Sequence, residues 1–174
     1  MGDEVWYATI VGVIVLSGLS IFYILYLAKM RRTKTNAAWK QAATELGLDF
    51  TPVTRIFGKY RMSGVIGKQL SCSVWAYTEP NGQGGYTTFM NYDVRFPQRL
   101  NKVKELLTPN IQSKLLEVNN VLKKVVVSDD SVNSIGMHGF IRKSEILVQN
   151  VKLLIQLAEL IIPNEEVDSI FEEI

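Results

Sequence analysis

The stretch Val5–Ala28, VWYATIVGVIVLSGLSIFYILYLA, decides the architecture, because no residue in it carries a formal charge. As an α-helix rising about 1.5 Å per residue it is roughly 36 Å long, enough to cross a hydrocarbon core of about 30 Å with some tilt. Trp6 and Tyr7 stand at one end, with Tyr23 and Tyr26 near the other. Those are depths at which amphipathic rings meet both the acyl chains and water. Lys29, Arg31 and Arg32 come directly after it, with Lys34 and Lys40 beyond, whereas Asp3, Glu4 and the α-amino group precede the run. The positive-inside rule then sets the N-terminus outside and the rest of the chain in the cytoplasm. The expectation is a single-pass protein of the cell membrane, with the lipid bilayer as its first partner.

A cleaved signal peptide is the main rival, and it wants a basic start, a short apolar region and a small-residue cleavage site. Here the start is acidic, the apolar run is long, and basic residues come after it. The only cysteine is Cys72, so no lipid-modified cysteine ends the run. Ala8 and Gly12 have the small-xxx-small spacing that lets helices approach closely, which makes self-association in the membrane one expectation.

The chain has 174 residues, 47% hydrophobic and 21% charged, with a net charge of +2. That near-balance excludes a nucleic-acid protein held by a large basic excess, and the apolar content excludes a disordered chain. One Cys and one His exclude a disulfide framework and a Cys/His zinc site, and no cofactor is expected. The predicted divisions are a short extracytoplasmic start at 1–4, a transmembrane helix at 5–28, a basic hinge at 29–35, a soluble domain at 36–162 and an acidic amphipathic segment at 163–174.

Within the soluble part, Trp39, Ala42, Ala43 and Leu46 fall at helical spacing, with Asn36 placed to cap the start and Gly47 to end it. Leu48–Pro52 reads as a short strand, and Tyr60–Tyr77 as two strands meeting near Gly64–Lys68. EPNGQGG (Glu79–Gly85) reads as a turn. The clearest strand is Tyr86–Phe96, with Met90, Tyr92 and Val94 on one side and Asn91, Asp93 and Arg95 on the other; Phe89 interrupts that polar side and predicts partial cover on both. Helices are predicted from Pro97 to Leu107 and from Pro109 to Asn119. Next comes a hairpin, from Val121–Val127 through SDDS to Val132–Phe140, and then a long helix, Lys143–Ile162. The fold class is therefore α+β: one domain with a mostly antiparallel sheet of five or six strands packed against helices. In the terminal segment, Val167, Ile170, Phe171 and Ile174 share one helical side, a candidate partner-binding face.

No catalytic constellation emerges. NGQGG lacks the strand-before, helix-after setting of a phosphate loop, and Asp129 and Asp130 lack calcium-loop spacing. The helix with Trp39 and Leu46-Gly47-Leu48, the Gly58-Lys59-Tyr60 entry to the strands, Thr87-Thr88-Phe89 and Leu106-Leu107-Thr108-Pro109 together cover most of 37–162. In these the chain resembles a group of prokaryotic single-pass membrane-anchored proteins whose function is not established. The resemblance implies the same α+β layout and assigns no site residues. The leading functional expectation is a cytoplasmic binding or scaffold domain, an accessory subunit of a membrane complex, with a protein partner or self-association. The alternative is a membrane-tethered enzyme acting on a lipid or small molecule, for which Asp93, Arg95, Tyr77 and His138 would have to converge in a deep pocket.

Overall fold

The computed structural model describes residues 2–55, 58–82, 84–101, 103–137, 141 and 143–162. Helix α1 spans Gly2–Leu46, 45 residues, with no break. The hinge expected at 29–35 is helical throughout. That segment contains neither Gly nor Pro, and the Thr33 and Thr35 hydroxyls donate back to the carbonyls of Lys29 and Arg31 at 3.1 and 2.9 Å. Asn36 therefore caps nothing, since the turn before it already satisfies the backbone. Its amide instead clamps the loop after the first strand: Nδ2 donates to Val53 O at 3.0 Å, and Val53 N donates to Oδ1 at 3.1 Å. The helix ends as its sequence foretells. Gly47 has φ +68°, Leu48 N donates to Ala43 O at 2.8 Å and Gly47 N to Thr44 O at 3.3 Å, the paired bonds of a Schellman cap.

Beyond α1 the chain forms six strands: β1 (Asp49–Phe50), β2 (Tyr60–Ile66), β3 (Leu70–Pro80), β4 (Tyr86–Arg95), β5 (Val125–Val127) and β6 (Ser131–Met137). They form one sheet in the order β1-β2-β3-β4-β6-β5, every pair antiparallel. Between them come the short helix α2 (Val103–Leu106) and the longer α3 (Pro109–Leu122), and α4 (Ser144–Ile161) closes the described fold. The C-terminal part of α1 packs on β1 and β2, α4 on β4 and β6, and α3 on β5 and β6, with α4 lying between the other two. The protein is α+β: a long apolar helix, then an antiparallel sheet with helices on one face.

Strand alternation fixes which side chains meet those helices. Met62, Val74 and Tyr92 form a cross-strand row on the helix-covered face and are fully buried. Trp39, 1% exposed, anchors α1 there, its ring 5.5 Å from Tyr60 and 6.1 Å from Phe50. Leu147, Val151, Leu154, Ala158 and Ile161 make the predicted stripe of α4, all buried. Asn150 Nδ2 donates to the Tyr92 hydroxyl at 2.9 Å, so these two buried polar groups satisfy each other. Gly64 lies against Leu48, whose Cδ2 would be 3.0 Å from a Cβ added there, so a side chain at 64 would require Leu48 to shift by a few tenths of an ångström.

Two boundaries differ from expectation. The helix predicted from Pro97 begins only at Val103, because Phe96 N and Leu100 N donate to Asp130 O and Asp129 O in the β5–β6 turn and are lost to a helix. The strand predicted from Val121 begins at Val125, because Leu122 extends the buried row of Ile111 and Val118 and keeps α3 going. Lys123 and Lys124, at φ +52° and +48°, then turn the chain.

Trp39→Ala should destabilise the lobe by about 3–5 kcal/mol, the cost of an aromatic-sized core cavity. Urea unfolding of the full chain in neutral detergent, followed by tryptophan fluorescence or circular dichroism, measures it.

Candidate functional site

The second face of the sheet carries the odd-numbered side chains of β3 and β4. One cross-strand row is Arg61, Trp75, Asn91 and Ile135; the next is Ser63, Ser73, Asp93, Asn133 and Val126. The helix contacts that can be assigned by side chain all fall on the other face: Trp39 on Tyr60, Asn150 on Tyr92, and Ser134 on the end of α3, where its hydroxyl bonds the Leu122 carbonyl at 3.0 Å. The floor of the second face is nonetheless shielded by its own neighbours. Asn91 and Asp93 are each 8% exposed, while Ile135 and Val126 above them are 51% and 54% exposed.

The polar groups of this floor are internally matched. With the Asn91 amide oxygen turned to the indole, Trp75 Nε1 donates to it at 2.9 Å and the amide nitrogen donates to Met90 O at 3.2 Å. Arg95 Nε donates to Asp93 Oδ2 at 2.9 Å, leaving the guanidinium tip exposed. Tyr77 stacks on Phe89 across the strands, centroids 5.5 Å apart at 25°. That pair explains the apolar residue in an otherwise polar row: Phe89 is half-buried by Tyr77. The result is a platform of aromatic and aliphatic surface, with the exposed Arg95 guanidinium held beside it by Asp93. Such a surface suits stacking and bidentate recognition.

The Asp93 carboxylate is tied to Arg95, and Tyr77 is held by its stack. Cys72 and Tyr92 lie on the other face, in the core. Burial, with a smaller contribution from the Asp93 charge, pushes the Cys72 thiol from an ordinary 9.0 up to about 12. Burial likewise raises the Tyr92 hydroxyl from 10.0 to about 12, against the Asn150 hydrogen bond. His138 lies outside the described residues. Two clefts open elsewhere, of about 330 Å³ beside β1 and β2 and about 360 Å³ between α1 and α4, and neither is lined by Asp93, Arg95 or Tyr77. Among the described residues no group of three His, Cys, Asp or Glu is placed to hold a metal. Ser128 to Ser131 is a hairpin turn, the Ser128 hydroxyl donating to Asp130 Oδ1 at 2.7 Å.

The other residues singled out by sequence lie apart from this platform. Trp6, Tyr7, Tyr23 and Tyr26 are exposed along α1, as are Lys29 and Arg31. Arg32 donates to the Thr54 carbonyl. Val167, Ile170, Phe171 and Ile174 lie outside the described residues. Sequence reasoning misses Trp75, Asn91 and Ile135 as site residues. A signal for Trp75 is nonetheless present: it alternates with the apolar row Leu70, Cys72, Val74 and Ala76, so it has to face the opposite side. No family model matches the chain, and no curated protein or solved structure is significantly similar to it.

Cys72 and Tyr92 both favour their protonated forms in the folded state. Their contribution to stability is complete below pH 9 and is lost as the pH rises from 9 toward 12. Alkaline unfolding should therefore become shallower in Cys72→Ala and in Tyr92→Phe. At pH 8 the buried Cys72 thiolate should be far scarcer than in the unfolded chain, so a thiol reagent should label it only on denaturation.

Proposed function

We propose that the chain is a single-pass membrane protein whose lobe acts as a binding or scaffold module, an accessory subunit of a membrane complex. The open sheet face is its contact surface. The N-terminus lies outside and the lobe in the cytoplasm. The observation that carries the binding reading is that face: Trp75, Tyr77, Phe89 and Ile135 present a preformed, partly apolar platform while the opposite face is already filled by helices. Preformed surfaces lose little conformational entropy on association.

The anchor reading is supported by α1. Its most apolar window has no protein cover, and it is the one helix among the described residues long and apolar enough to cross a membrane. Large uncovered apolar area is costly in water and calls for a second apolar phase. The orientation rests on Lys29, Arg31 and Arg32 at one end against Asp3 and Glu4 at the other.

The test uses the full chain in its native membranes. A photo-cross-linking amino acid at position 77 or 135 should give the same discrete protein adduct, while one at Leu116, exposed on α3, should give none. Adducts at all three sites, or at none, would contradict the platform. In the same preparation the chain should resist alkaline carbonate extraction, retain Met1–Ala28 by intact mass, and have a lobe protected from external protease in whole cells. Release, an N-terminus beyond Met30, or digestion from outside would each overturn the anchor or its orientation.

A further inference from the structure

The cleft of about 330 Å³ beside β1 and β2 is lined by the loop between them and by the start of β2, including Arg55, Lys59 and Arg61 against a single carboxylate, Asp49. All three cations are exposed, and none is held in an ion pair among the described residues. The loop is held at a defined height on α1. Arg32 donates to Thr54 O, and Asn36 brackets Val53 through both its amide atoms.

That height is the informative quantity. Arg32 lies four residues past Ala28, hence about 6 Å beyond the end of the uncharged run at the helical rise. The polar headgroup layer of one leaflet is about 5–7 Å thick. The chain from Val53 to Thr54 runs from the level of Asn36 toward that of Arg32. The Thr54–Arg55 end of the cleft therefore lies nearest the headgroups, with Arg31 and Arg32 on the adjoining helix, while Asp49 and Ser63 lie toward the end of α1. Guanidinium groups match phosphate oxygens in geometry as well as charge.

We infer that this cleft binds the phosphate of an anionic phospholipid headgroup. The inference rests on the anchor reading for its source of ligand, and the shared chemistry is a phosphate group, whether esterified in a lipid or free. The site would hold the lobe close to the membrane surface, because the ligand itself belongs to the bilayer.

The experiment is native mass spectrometry of the full chain in neutral detergent, titrated separately with short-chain phosphatidylglycerol, short-chain phosphatidylcholine and inorganic phosphate. One phosphatidylglycerol should bind per chain, saturably, with phosphatidylcholine and free phosphate at least about tenfold weaker. The variant R55Q/K59Q/R61Q should lose phosphatidylglycerol affinity at least about tenfold, since each cation contributes separately near an anionic group. The charge-matched control K40Q/K123Q/K124Q should keep it. Because all three groove cations are exposed, the variant should melt as wild type does; if it does not, R55Q alone is read, with a smaller loss expected. Equal binding by wild type and groove variant, equal loss in the control, or equal binding of phosphatidylcholine would overturn the site. Free phosphate binding as tightly through the same residues would overturn the lipid assignment. Failure of the anchor reading shows separately, as release of wild-type chain by carbonate, and leaves the detergent titration unaffected.

Discussion

The backbone hydrogen-bond ladder of α1 continues through residues 29–35, and the rest of the structure is arranged around that continuity. The unbroken helix has no Gly or Pro at 29–35, so no flexible joint separates the apolar first part from the core-forming last part. Trp39 then fixes the helix to the sheet, buried between Phe50 and Tyr60. Asn36 fixes the neighbouring loop to the helix. The lobe therefore has a definite orientation about the helix axis, which a flexible tether would not give.

The sheet divides its labour between its faces. On one, every central position is apolar or internally satisfied, and three helices cover it. On the other, Trp75 bonds Asn91 and Arg95 bonds Asp93. Polar groups at 8% exposure without partners would cost more than their hydrogen bonds return, so these bonds make polar residues tolerable on the central strand. Cys72 and Tyr92, whose proton affinities burial raises, are on the filled face.

Much of the architecture is legible where periodicity is long and unambiguous. The α4 stripe, the alternation of β4, the Gly47 cap and the SDDS turn all stand where local chemistry puts them, whereas β3 runs on through Glu79 and Pro80 and shortens the turn expected over EPNGQGG to the residues after Pro80. The errors share a cause. Asn36 resembles a cap because capping residues are recognised by the helix downstream of them, whereas its role depends on Val53, seventeen positions on and across a loop. The segment after Pro97 and the end of α3 are decided by bonds to the β5–β6 turn and by the burial of Leu122. The platform is half visible: Asp93, Arg95, Tyr77 and Phe89 share an alternation that can be read along single strands. That Trp75 lies opposite Asn91, and Asn91 opposite Ile135, depends on register between strands, which one sequence does not display.

The central claim is that the apolar helix and the lobe are joined without a hinge, and amide hydrogen exchange across residues 29–35 of the full chain in lipid nanodiscs tests it most directly. These amides should exchange as slowly as those of residues 36–42, with protection continuous along α1. Exchange within seconds at 29–35, between protected segments on either side, would mean a hinge and would contradict the account.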